Sequence, residues 1–590
     1  MSSRISAADG RLLDRLSPVS GRPWRERPTD PDLVTALVQR KGLADVVARV
    51  LAGRGIGLDQ VDGFLEPRLR DFLVDPSHLL DMDRAATRLA DAVEKGERVG
   101  IIGDYDVDGA TSAALLSRWL RACGNEVIIE IPDRLLDGYG PNAAALDRLS
   151  AGGCRLVLSL DSGTTAFEPL SHAAGIGQEV IVVDHHVAEA TLPAAYAVVN
   201  PNRNDQVSPY GHLAAVGVTF LLLVAANREL RRCGRAEPDL MAMLDLVALG
   251  TVCDVVPLQG LNRAFVRQGL RVMAKRQNTG LAQLSLEARA PEALEAWHLG
   301  YLLGPRINAG GRIDQSDLGV RLLTETDARE ASALAARLDQ LNSRRRQIER
   351  EILDLADRAV RAQVDEEAPV LVASGQGWHV GVIGIVASRL VEKYDRPVFV
   401  IGFDEHGVGK GSARSVPGVD LGRSVIDARQ RGILLKGGGH PMAAGVTIHA
   451  DSLATFIAHL RAAITAGPGA SRPRRPLDLD ASVSVGACGR DLALALEQLQ
   501  PFGAGNDEPR IHLVDAKVAD ARSVGTGHVA VRLEGRDGAR LDGIAFRALE
   551  RPLGDLLRTT QRPIQLAGTL KLERRMGSER VSFHIIDASA

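Results

Sequence analysis

The stretch VGIIGDYDVDGATSAALLSRWLRAC, residues 99–123, contains the sequence pattern from which the fold can be inferred. Val99–Gly103 is a short apolar run that predicts a buried strand, and Ala110–Cys123 has the spacing of a helix. The loop between them contains three alternating carboxylates, Asp104, Asp106 and Asp108. A strand, an acidic loop and a helix in this order are typical of a doubly wound α/β sheet.

Further apolar, β-branched runs follow on the C-terminal side, separated by helical or loop stretches: Val127–Ile131, Leu156–Leu160 and Val180–Val183. This alternation predicts that the strands form a parallel sheet. Ligands of such sheets sit at the carboxyl ends of the strands. Asp161 directly follows one of these runs, and the triplet Asp184–His185–His186 follows another. We therefore expect these side chains to lie near the aspartates that follow the first strand.

The acidic side chains predict a cation site, because three carboxylates this close repel one another unless a cation holds them together. Asp254 adds a fourth acidic element after the helical run Met241–Gly250. Asp and His ligands without Cys favour Mn²⁺ or Mg²⁺, with His shifting the choice toward Mn²⁺. So many carboxylates can hold two ions about 3.5–4 Å apart, a pair that activates water and clamps a phosphate.

Other interpretations exist for each motif taken alone. An isolated Asp-x-Asp is usually a turn or a helix cap, and a His-His pair is more often surface or core than a ligand. The loop also resembles the start of an EF-hand, but Leu115 stands where that loop needs Glu. Four acidic motifs together, three of them at strand ends, favour a phosphoesterase metal site.

The composition excludes several classes of protein. With 71 Lys and Arg against 74 Asp and Glu, the net charge is −3, so nucleic-acid binding must come from local basic patches or from metals. Five scattered cysteines without a CxxC pair argue against a disulfide framework and a thiolate zinc site. No apolar run reaches the ~18 residues of a membrane span, and the first residues lack an apolar signal core. We expect a cytoplasmic protein that does not bind membranes.

The rest of the chain shows further domains. Residues 1 to about 32 are polar and are expected to be poorly ordered. A long helical pattern over Ala328–Val364 is either a connector between two lobes or a surface helix of one lobe. A second α/β segment starts at Pro369, and the Pro/Gly/Arg-rich stretch Ala466–Pro476 predicts a domain boundary. After it, period-2 alternation predicts a small β-barrel of OB type.

Several motifs occur in an order that is typical of one family. Besides the acidic loop and the DHH triplet, they are ALGTVCDVVPL (248–258), GPRINAGGR (304–312), WHVGVIGIVASRL (378–390), GSARS (411–415), GGGHPMAAG (437–445) and PFGAGN (501–506). From about residue 45 to the end, the chain resembles the DHH phosphoesterase superfamily. Within it, the chain is similar to the RecJ family of bacterial single-stranded-DNA-specific 5′→3′ exonucleases.

The resemblance implies an α/β fold with a parallel-sheet DHH domain and a DHHA1 α/β domain joined by a long helix, plus a C-terminal OB-type β-barrel. The implied limits are 1–80 for an N-terminal extension and helices, 81–325 for the DHH catalytic domain, 326–365 for the connecting helix, 366–468 for the DHHA1 domain and 469–590 for the OB domain.

The resemblance also implies roles for the acidic residues and histidines. Two ions, Mn²⁺ or Mg²⁺, would be held by Asp106, Asp108, Asp161, His185 and Asp254. Asp161 would bridge the ions, and Asp104 would either coordinate an ion or support a ligand. Asp184 would orient His185 through its other ring nitrogen, and His186 would face the scissile phosphate. Asp161, Asp184, His185 and His186 are thus the implied catalytic residues.

A second implied set of residues would bind DNA. Ser412 and Arg414 would bind the 5′-terminal phosphate with help from Arg306, because the guanidinium fork can take two phosphate oxygens at once. The remaining implied residues would contact the nucleotide backbone or shape the cleft: Asn308, Arg312, Gly438, Gly439 and His440. From the residues alone, the glycine cluster could be a plain tight turn, and Arg306 and Arg312 could form surface salt bridges.

The implied activity is hydrolysis of single-stranded DNA from its 5′ end by a two-metal mechanism, releasing 5′-mononucleotides in DNA repair and recombination. The OB domain would hold upstream DNA through Arg532, Arg540, Arg574 and Arg575, unless these only form a solvated strand face. A single-strand-binding protein and a RecQ-type helicase are candidate partners. The alternatives are a DHH-type nanoRNA or cyclic-dinucleotide phosphodiesterase, a non-catalytic single-strand-binding replication factor, and a DHH-type pyrophosphatase.

Overall fold

We describe the protein from a computed structural model, which covers residues 11–13, 16–133, 138, 140–465, 476–575 and 578–590. The chain divides into two compact units. The larger unit comprises Asp75–Asp254 and Gly269–Arg472, and the smaller unit comprises Met1–Val74, Val255–Gln268 and Pro473–Ala590. Of the predicted linker, Ala466–Arg475 lies outside the described residues. Among the residues described, no helix is long and apolar enough to cross a membrane.

The smaller unit begins with a short strand and four helices. They are β1 (Trp24–Glu26), α1 (Pro31–Lys41), α2 (Asp45–Gly53), α3 (Val61–Leu65) and α4 (Leu69–Phe72). Asp30 caps α1 by accepting hydrogen bonds from two backbone N–H groups, and Gly42 ends it in a left-handed conformation.

A five-stranded parallel sheet forms the centre of the first half of the larger unit. Its strands are β2 (Val99–Gly103), β3 (Val127–Glu130), β4 (Leu156–Leu160), β5 (Glu179–Val183) and β6 (Ala197–Val199), in the order β3-β2-β4-β5-β6. Strands β2 and β4 are buried at every position, which explains why their sequences are continuously apolar instead of alternating. The parallel sheet predicted from the sequence is confirmed.

Helices cover this sheet. They are α5 (Met82–Lys95), α6 (Val107–Ala122), α7 (Ala143–Ala151), α8 (Phe167–Gly175), α9 (Ala215–Arg232) and α10 (Leu244–Cys253). Because β2 has β3 on one side and β4 on the other, the strand order reverses at β2. In open α/β sheets, ligands bind beside such a reversal.

Further helices lead to the second sheet of the larger unit. They are α11 (Gly260–Met273), α12 (Thr279–Glu287), α13 (Ala296–His298), α14 (Gly304–Ile313), α15 (Leu318–Thr324) and α16 (Ala328–Asp365). The predicted long helix is α16, which has 38 residues and is capped at its start by Asp327. Its buried face contacts α12 and α14 on one side and α17 and β7 of the next domain on the other. It is therefore a connector and not a surface helix of one lobe.

The second sheet is mixed. It contains β7 (Leu371–Gln376), β8 (Val398–Phe403), β9 (Val408–Arg414), β10 (Lys436–His440) and β11 (Ala443–His449), in the order β10-β11-β9-β8-β7. The helices are α17 (Val380–Tyr394), α18 (Leu421–Gln430) and α19 (Leu453–Thr465). Only β7 and β8 run parallel. The glycine cluster of the sequence is thus an edge strand, β10, followed by a turn into β11.

The C-terminal part of the smaller unit is a closed β-barrel of OB type. Its elements are β13 (Ala481–Val483), α20 (Arg490–Glu497), β14 (Ile511–Val524), β15 (His528–Glu534), β16 (Arg540–Ala545), α21 (Pro552–Thr559), β17 (Ile564–Arg575) and β18 (Ser578–Ser589). The preceding strand, β12 (Leu477–Leu479), belongs to a separate two-stranded sheet. The long strand β14 pairs with both β15 and β17, and β16 pairs in parallel with β18, which closes the barrel. Phe583 fills the interior.

The expectation that residues 1 to about 32 are poorly ordered is wrong for the part that the structure describes. Trp24 is 1% exposed, and its ring nitrogen donates a hydrogen bond to Asp587 over 2.9 Å. Strand β1 pairs with β12, with Trp24 opposite Leu477. The partners of this segment lie more than 450 residues away in the chain, so its local composition gives no sign of them. Residues 1–10, 14 and 15 lie outside the described part.

The PFGAGN motif has a packing role within the smaller unit. The buried guanidinium of Arg263 donates hydrogen bonds to the carbonyl oxygens of Phe64, Leu499 and Gln500. The side-chain amide of Asn506 donates to the carbonyls of Leu499 and Pro501. These bonds satisfy backbone carbonyls that would otherwise be buried without partners.

Candidate active site

The acidic loop is held tightly between β2 and α6. Asp106 is the N-cap of α6 and accepts a hydrogen bond from the backbone N–H of Gly109 over 3.1 Å. A Cβ atom at position 109 would lie 2.5 Å from the backbone nitrogen of Asp104, so only glycine fits there. The loop can therefore wrap back on itself and bring Asp104 and Asp106 close to the end of the neighbouring strand β4.

Asp108 lies in the first turn of α6 and is fixed by a second helix. Its carboxylate accepts hydrogen bonds from the backbone N–H groups of Ala215 and Val216, over 2.6 and 2.9 Å. These groups belong to the unsatisfied N-terminal turn of α9. A Cβ atom on Gly250 of α10 would lie 3.1 Å from Asp108, so three helices meet closely around this carboxylate.

Asp161 follows β4 directly and has a strained backbone. Its φ angle is +59°, in the left-handed region that residues other than glycine rarely adopt. Its N–H donates to the carbonyl of Val183 over 3.0 Å, so the ladder between β4 and β5 extends to this residue. Strain of this kind persists where surrounding structure enforces it, and it is frequent at functional sites.

The DHH triplet follows β5, and its hydrogen bonds differ from the prediction. The Asp184 carboxylate contacts Nδ1 of His186 at 2.8 Å and accepts from the backbone N–H of His185 at 2.8 Å and of Thr164 at 3.2 Å. Asp184 thus orients His186, and the prediction that it orients the ring of His185 is wrong. His185 instead makes a hydrogen bond with the backbone of Leu213. The reason is the tight turn after β5, which folds the second histidine back over the carboxylate.

His185 Nε2 is the point where the acidic elements converge. It lies 3.3 Å from Asp161, 3.7 Å from Asp254 and 3.9 Å from Asp108, measured to carboxylate oxygens. Three groups of side chains have ligand atoms within 4.8 Å of one another: Asp161 with His185 and His186, Asp108 with His185 and Asp254, and Asp104 with Asp106 and Asp161. We call these seven residues the metal cluster. Asp161 and His185 each belong to two of these groups, and a carboxylate has two oxygens, so Asp161 could serve as a ligand in both of its groups.

Burial and mutual repulsion shift the pKa values of several side chains of the metal cluster. Burial and then the charges of neighbouring carboxylates raise the pKa of Asp108 and of Asp161 well above the usual range. Burial and Asp106 raise the pKa of Asp254 to about 7. Burial and the proximity of His186 lower the pKa of His185 to about 4, which leaves its imidazole neutral. A neutral imidazole and several carboxylates are the donor set that a divalent cation stabilises.

Asp184 and His186 differ from the other members of the site. Burial opposes ionisation of Asp184, but hydrogen bonds from His186 and Thr164 bring its pKa below the usual range. Burial also opposes the charge on His186, yet the contact with Asp184 raises its pKa. An ionised Asp184 carboxylate therefore contacts Nδ1 of His186 and favours the protonated form of that imidazole.

Two polar atoms of the metal cluster test whether a cation fits. Nε2 of His185 and one carboxylate oxygen of Asp254 are buried without a hydrogen-bond partner in the described part of the chain. Leaving such atoms unsatisfied costs about 1–3 kcal/mol each. A divalent cation between them would satisfy both, so the residues present fit a metal of the Mn²⁺ or Mg²⁺ type.

A cleft of about 480 Å³ opens beside the metal cluster. It is lined by Tyr105, Gly311, Arg312, Val380, Gly381, Ile383, Gly384, Lys410, Gly411, Ser412, Arg414, Gly439, Ala443, Ala444 and Gly445. These residues include three cations, six glycines and no carboxylate. Tyr105, between Asp104 and Asp106, joins the metal cluster to the cleft. A volume in this range suits a ligand the size of a nucleotide.

Four of the predicted DNA-binding residues line this cleft. Arg414 donates hydrogen bonds to Ser412 Oγ over 3.1 Å and to the carbonyl of Ala413 over 2.8 Å. Arg312 donates to the carbonyl of Gly381 over 3.1 Å, and the charge of Asp106 acts on its guanidinium. Gly439 has φ +155° and lies so close to Ala444 that a side chain would clash.

Arg306 does not line the cleft, contrary to the prediction. Its guanidinium makes an ion pair with Asp339 of α16 at 2.9 Å and donates to the carbonyl of Leu302 at 2.7 Å. The residue is 8% exposed. Its position on the inner face of α14 directs it toward α16, so it fastens these two helices together. The alternative interpretation, salt bridging, describes this residue, although the bridge is buried.

Three other predicted residues are also absent from the cleft lining. Gly438 and His440 lie on the edge strand β10, where only Gly439 faces the cleft. Asn308 lies on α14 between Arg306 and Arg312, and its side-chain oxygen is buried without a hydrogen-bond partner among the described residues. This geometry leaves the role of Asn308 in contacting DNA a prediction.

The sequence reasoning missed Tyr105 and Lys410 as cleft residues. Both had a detectable signal. Tyr105 stands inside the acidic loop, and Lys410 precedes Ser412 and Arg414 by two and four residues on one strand, which places all three on the same face. The glycines of α17 that line the cleft had no comparable signal, because nothing local shows which helix face meets β9.

The arginines predicted to hold DNA on the barrel are mostly paired. Arg532 makes an ion pair with Asp542 at 3.3 Å, and Arg574 makes one with Glu497 at 2.8 Å. Arg540 is exposed on β16, and the side chain of Arg575 lies outside the described part. The observed pairs favour the interpretation as a solvated strand face for Arg532 and Arg574.

Family models match three segments of the chain. The DHH family N-terminal domain matches residues 98–251, the DHHA1 domain matches residues 367–466, and the RecJ OB domain matches residues 479–587. The first segment contains all of the metal cluster except Asp254. The second contains the cleft residues of β9 and β11.

The chain is similar to curated proteins named single-stranded-DNA-specific exonuclease RecJ. The protein from Dickeya dadantii is 37% identical over 543 residues, which cover 88% of this chain and 92% of that protein. The Escherichia coli protein is 36% identical over 522 residues, which cover 85% of this chain and 89% of that protein. The Bacillus subtilis protein is 35% identical over 535 residues, and there the match covers 89% of this chain but 65% of the relative's length.

Solved structures give the same picture. The crystal structure of RecJ from Thermus thermophilus in complex with Mn²⁺ superposes with a TM-score of 0.79 and 30% identity, covering 96% of this chain and 79% of that chain. The complex of the same protein with Mg²⁺ gives a TM-score of 0.74 and 29% identity over 96% of this chain and 78% of that chain. The donor set and these structures agree on the class of metal.

Proposed function

This chain belongs to the RecJ family of DHH phosphoesterases, and we propose that it is a single-stranded-DNA-specific exonuclease that hydrolyses phosphodiester bonds from the 5′ end. The proposal rests on two neighbouring sites of opposite charge within the larger unit. The metal cluster gathers carboxylates around His185, and the cleft beside it has three cations and no carboxylate. A phosphodiester at the cluster and a terminal phosphate in the cleft satisfy both sites.

The metal cluster would hold two divalent cations. Asp106, Asp108, Asp161, His185 and Asp254 are the proposed ligands, with Asp161 shared and Asp104 either coordinating or supporting. When bound, two Mn²⁺ or Mg²⁺ ions supply an activated water and neutralise charge on the scissile phosphate. The hydrogen bonds from Ala215 and Val216 keep the carboxylate of Asp108 in one orientation, so it does not need to reorganise when charge arrives.

The protein supplies a hydrogen-bond donor within the metal cluster, the imidazole of His186. Asp184 holds His186 through Nδ1, so the other ring nitrogen, Nε2, is the one that would donate to a phosphate oxygen. Donors fixed before the reaction stabilise charge that develops in the transition state, and they do so without reorganisation. Asp184 and His186 therefore act as a unit, in which the carboxylate positions the ring and the ring contacts the substrate.

The cleft determines which end of the strand is cut. Ser412 and Arg414 would hold the 5′-terminal phosphate, and Arg312, which lines the same cleft, interacts with the charge of Asp106. The first nucleotide then spans the distance from the terminal phosphate to the scissile phosphate, so each cut releases one 5′-mononucleotide. A cleft that fits about one nucleotide offers no space for a base pair, which excludes duplex ends.

The domain limits proposed from the sequence are 1–80, 81–325, 326–365, 366–468 and 469–590, and the segments matched by family models fall inside the corresponding three. We infer that the enzyme is cytoplasmic and acts in DNA repair and recombination. Its substrate would be strands opened by a RecQ-type helicase and covered by a single-strand-binding protein. Pull-down of these two proteins with the purified chain tests the partners.

A nuclease assay with Mn²⁺ tests the activity. The substrates are 5′-labelled and 3′-labelled single strands and a blunt duplex, with Asp161→Ala and the exposed Glu168→Gln as variant and control. The proposal predicts that 5′-mononucleotides appear at once from the 5′-labelled single strand, while the 3′-labelled strand shortens stepwise. Only the Asp161 variant loses the activity. Binding without cleavage would support the scaffold alternative, and cleavage only of very short RNA or cyclic dinucleotides would support the phosphodiesterase alternative.

A further inference from the structure

Lys410 occupies a distinctive place in the cleft. It lies on β9 two residues before Ser412 and four before Arg414, so the three side chains lie on one face of the strand. Its neighbours across the sheet are Gly402 on β8 and Thr447 on β11. The small neighbours leave the long side chain exposed at the cleft wall.

The three cationic side chains of the cleft differ in the contacts that they make with other residues. The guanidinium of Arg312 is bonded to the carbonyl of Gly381 and interacts with the charge of Asp106. Two of the contacts of Arg414 are to neutral oxygens, the hydroxyl of Ser412 and the carbonyl of Ala413. The ammonium group of Lys410 has no ion pair with any residue that the structure describes. Its charge is therefore available to a ligand.

The charge of the ligand determines whether an additional cation in the cleft would strengthen its binding. A phosphomonoester carries about −1.5 to −2 at pH 7, because its second pKa is near 6. A phosphodiester carries one negative charge, and a 5′-hydroxyl carries none. Arg414 with Ser412 matches the first charge of a terminal phosphate, and a further cation on the same face is needed to match the second.

We propose that Lys410 is a specificity-determining residue that selects strands with a 5′-phosphate over strands with a 5′-hydroxyl. This inference rests on the proposed function, because it assumes that a 5′ end enters the cleft. A lysine suits the task, since its ammonium is a compact point charge on a flexible stem and follows the phosphate without a fixed geometry. Gly445, which pairs with Ser412 on the neighbouring strand β11, keeps this surface low, so that the phosphate can approach between Lys410 and Arg414.

The test is a binding measurement without divalent metal, so that no cleavage occurs. One oligonucleotide sequence is prepared with a 5′-phosphate and with a 5′-hydroxyl, both with a fluorophore at the 3′ end, and fluorescence anisotropy gives the Kd. Lys410→Met should raise the Kd for the phosphorylated strand about 10-fold, the size expected for a hydrogen bond to a charged group. The Kd for the hydroxyl strand should change less than about 2-fold, because general electrostatics from one exposed lysine are weak.

Three further variants control the experiment. Lys410→Arg keeps the charge and should keep most of the preference. Lys410→Gln removes the charge as Lys410→Met does and should weaken binding to the same extent, so it replaces Lys410→Met if that variant folds poorly. Lys436→Met removes an exposed lysine from β10 of the same sheet, outside the cleft lining, and should leave both Kd values unchanged.

The outcomes separate this inference from the proposed function. Equal weakening for both strands, or no weakening for either, would overturn the role of Lys410 while leaving the exonuclease intact. The same holds if the wild-type protein binds both ends alike. A protein that prefers the phosphorylated strand through Lys410 but does not hydrolyse it with Mn²⁺ would keep the inference and overturn the exonuclease.

Discussion

The metal cluster and the cleft lie side by side in the larger unit and have opposite charge. The cluster contains five aspartates around His185, and the pKa values of Asp161 and Asp254 are raised because these carboxyls are buried among like charges. The described residues that line the cleft include three cations and no carboxylate. One site therefore needs cations from solution, and the other needs an anion. Metal ions would neutralise the carboxylates of the metal cluster, and a DNA phosphate would neutralise the cations of the cleft.

The largest effect is expected from removing the carboxylate of Asp161, which belongs to two groups of the metal cluster. Asp161→Asn keeps the size of the side chain but removes the charge that serves two of the three ligand groups. The expected loss in kcat exceeds the roughly 10–100-fold that changes to supporting residues cost. Initial rates with Mn²⁺ on 5′-phosphorylated single strands measure it, with Glu168→Gln as the control. Retention of a tenth of the activity would mean that Asp161 does not bridge the ions.

The hydrogen bond between Asp184 and His186 gives the next largest effect. Asp184→Asn removes the charge that raises the pKa of His186, and we expect kcat to fall about 10–100-fold. If protonated His186 donates to the phosphate, activity is lost as pH rises through its pKa. The variant should therefore lose activity at a lower pH than the wild-type enzyme. A pH–rate profile with an unmoved alkaline limb would show that Asp184 does not act through His186.

Metal binding provides a third test, through its pH dependence. Asp254 has a pKa of about 7 without metal, so protons compete with the cation at and below that pH. The affinity for Mn²⁺ should rise as pH increases from about 6 to about 8, and binding near pH 7 should release protons. Calorimetry in two buffers with different ionisation enthalpies measures the release. An affinity that does not vary over this range would show that Asp254 is no ligand.

In the cleft, changes to Ser412 or Arg414, which would bind the terminal phosphate, should affect KM more than kcat. Arg414→Lys loses the fork that can take two phosphate oxygens, and Ser412→Ala loses the hydroxyl that Arg414 contacts. Each should raise KM for 5′-phosphorylated strands about 10-fold with little change in kcat. Arg423→Lys on the exposed face of α18 is the matched control. A fall in kcat without a change in KM would place these residues at the scissile phosphate instead.

The smallest catalytic effect is expected at Arg306. Arg306→Met breaks the buried ion pair with Asp339, so the free energy of unfolding should fall by about 1–3 kcal/mol. KM and kcat of the folded enzyme should stay within about 2-fold, because the residue does not line the cleft. Urea unfolding and steady-state kinetics on one preparation measure both. A selective rise in KM would restore the predicted role in phosphate binding.

The metal cluster and the cleft also differ in how much of each could be predicted from the sequence. The metal cluster was predictable because each residue follows a strand or helix in the sequence, and parallel strands bring their ends together regardless of detail. The local hydrogen bonds were not, since the choice between His185 and His186 as partner of Asp184 depends on a turn of two residues. The cleft was predicted in part. Arg312, Ser412 and Arg414 line it. Arg306 points to α16 because the six residues from Arg306 to Arg312 make about 1.7 helix turns, which places the two side chains on different faces of α14.

The most direct test of the account is a crystal structure with Mn²⁺ and a 5′-phosphorylated single strand made resistant to hydrolysis by phosphorothioate linkages. Anomalous scattering at the manganese edge locates the ions. We expect two peaks about 3.5–4 Å apart, both in contact with Asp161, and a terminal phosphate between Arg414 and Lys410. A single ion remote from Asp161, or a 3′ end in the cleft, would contradict it.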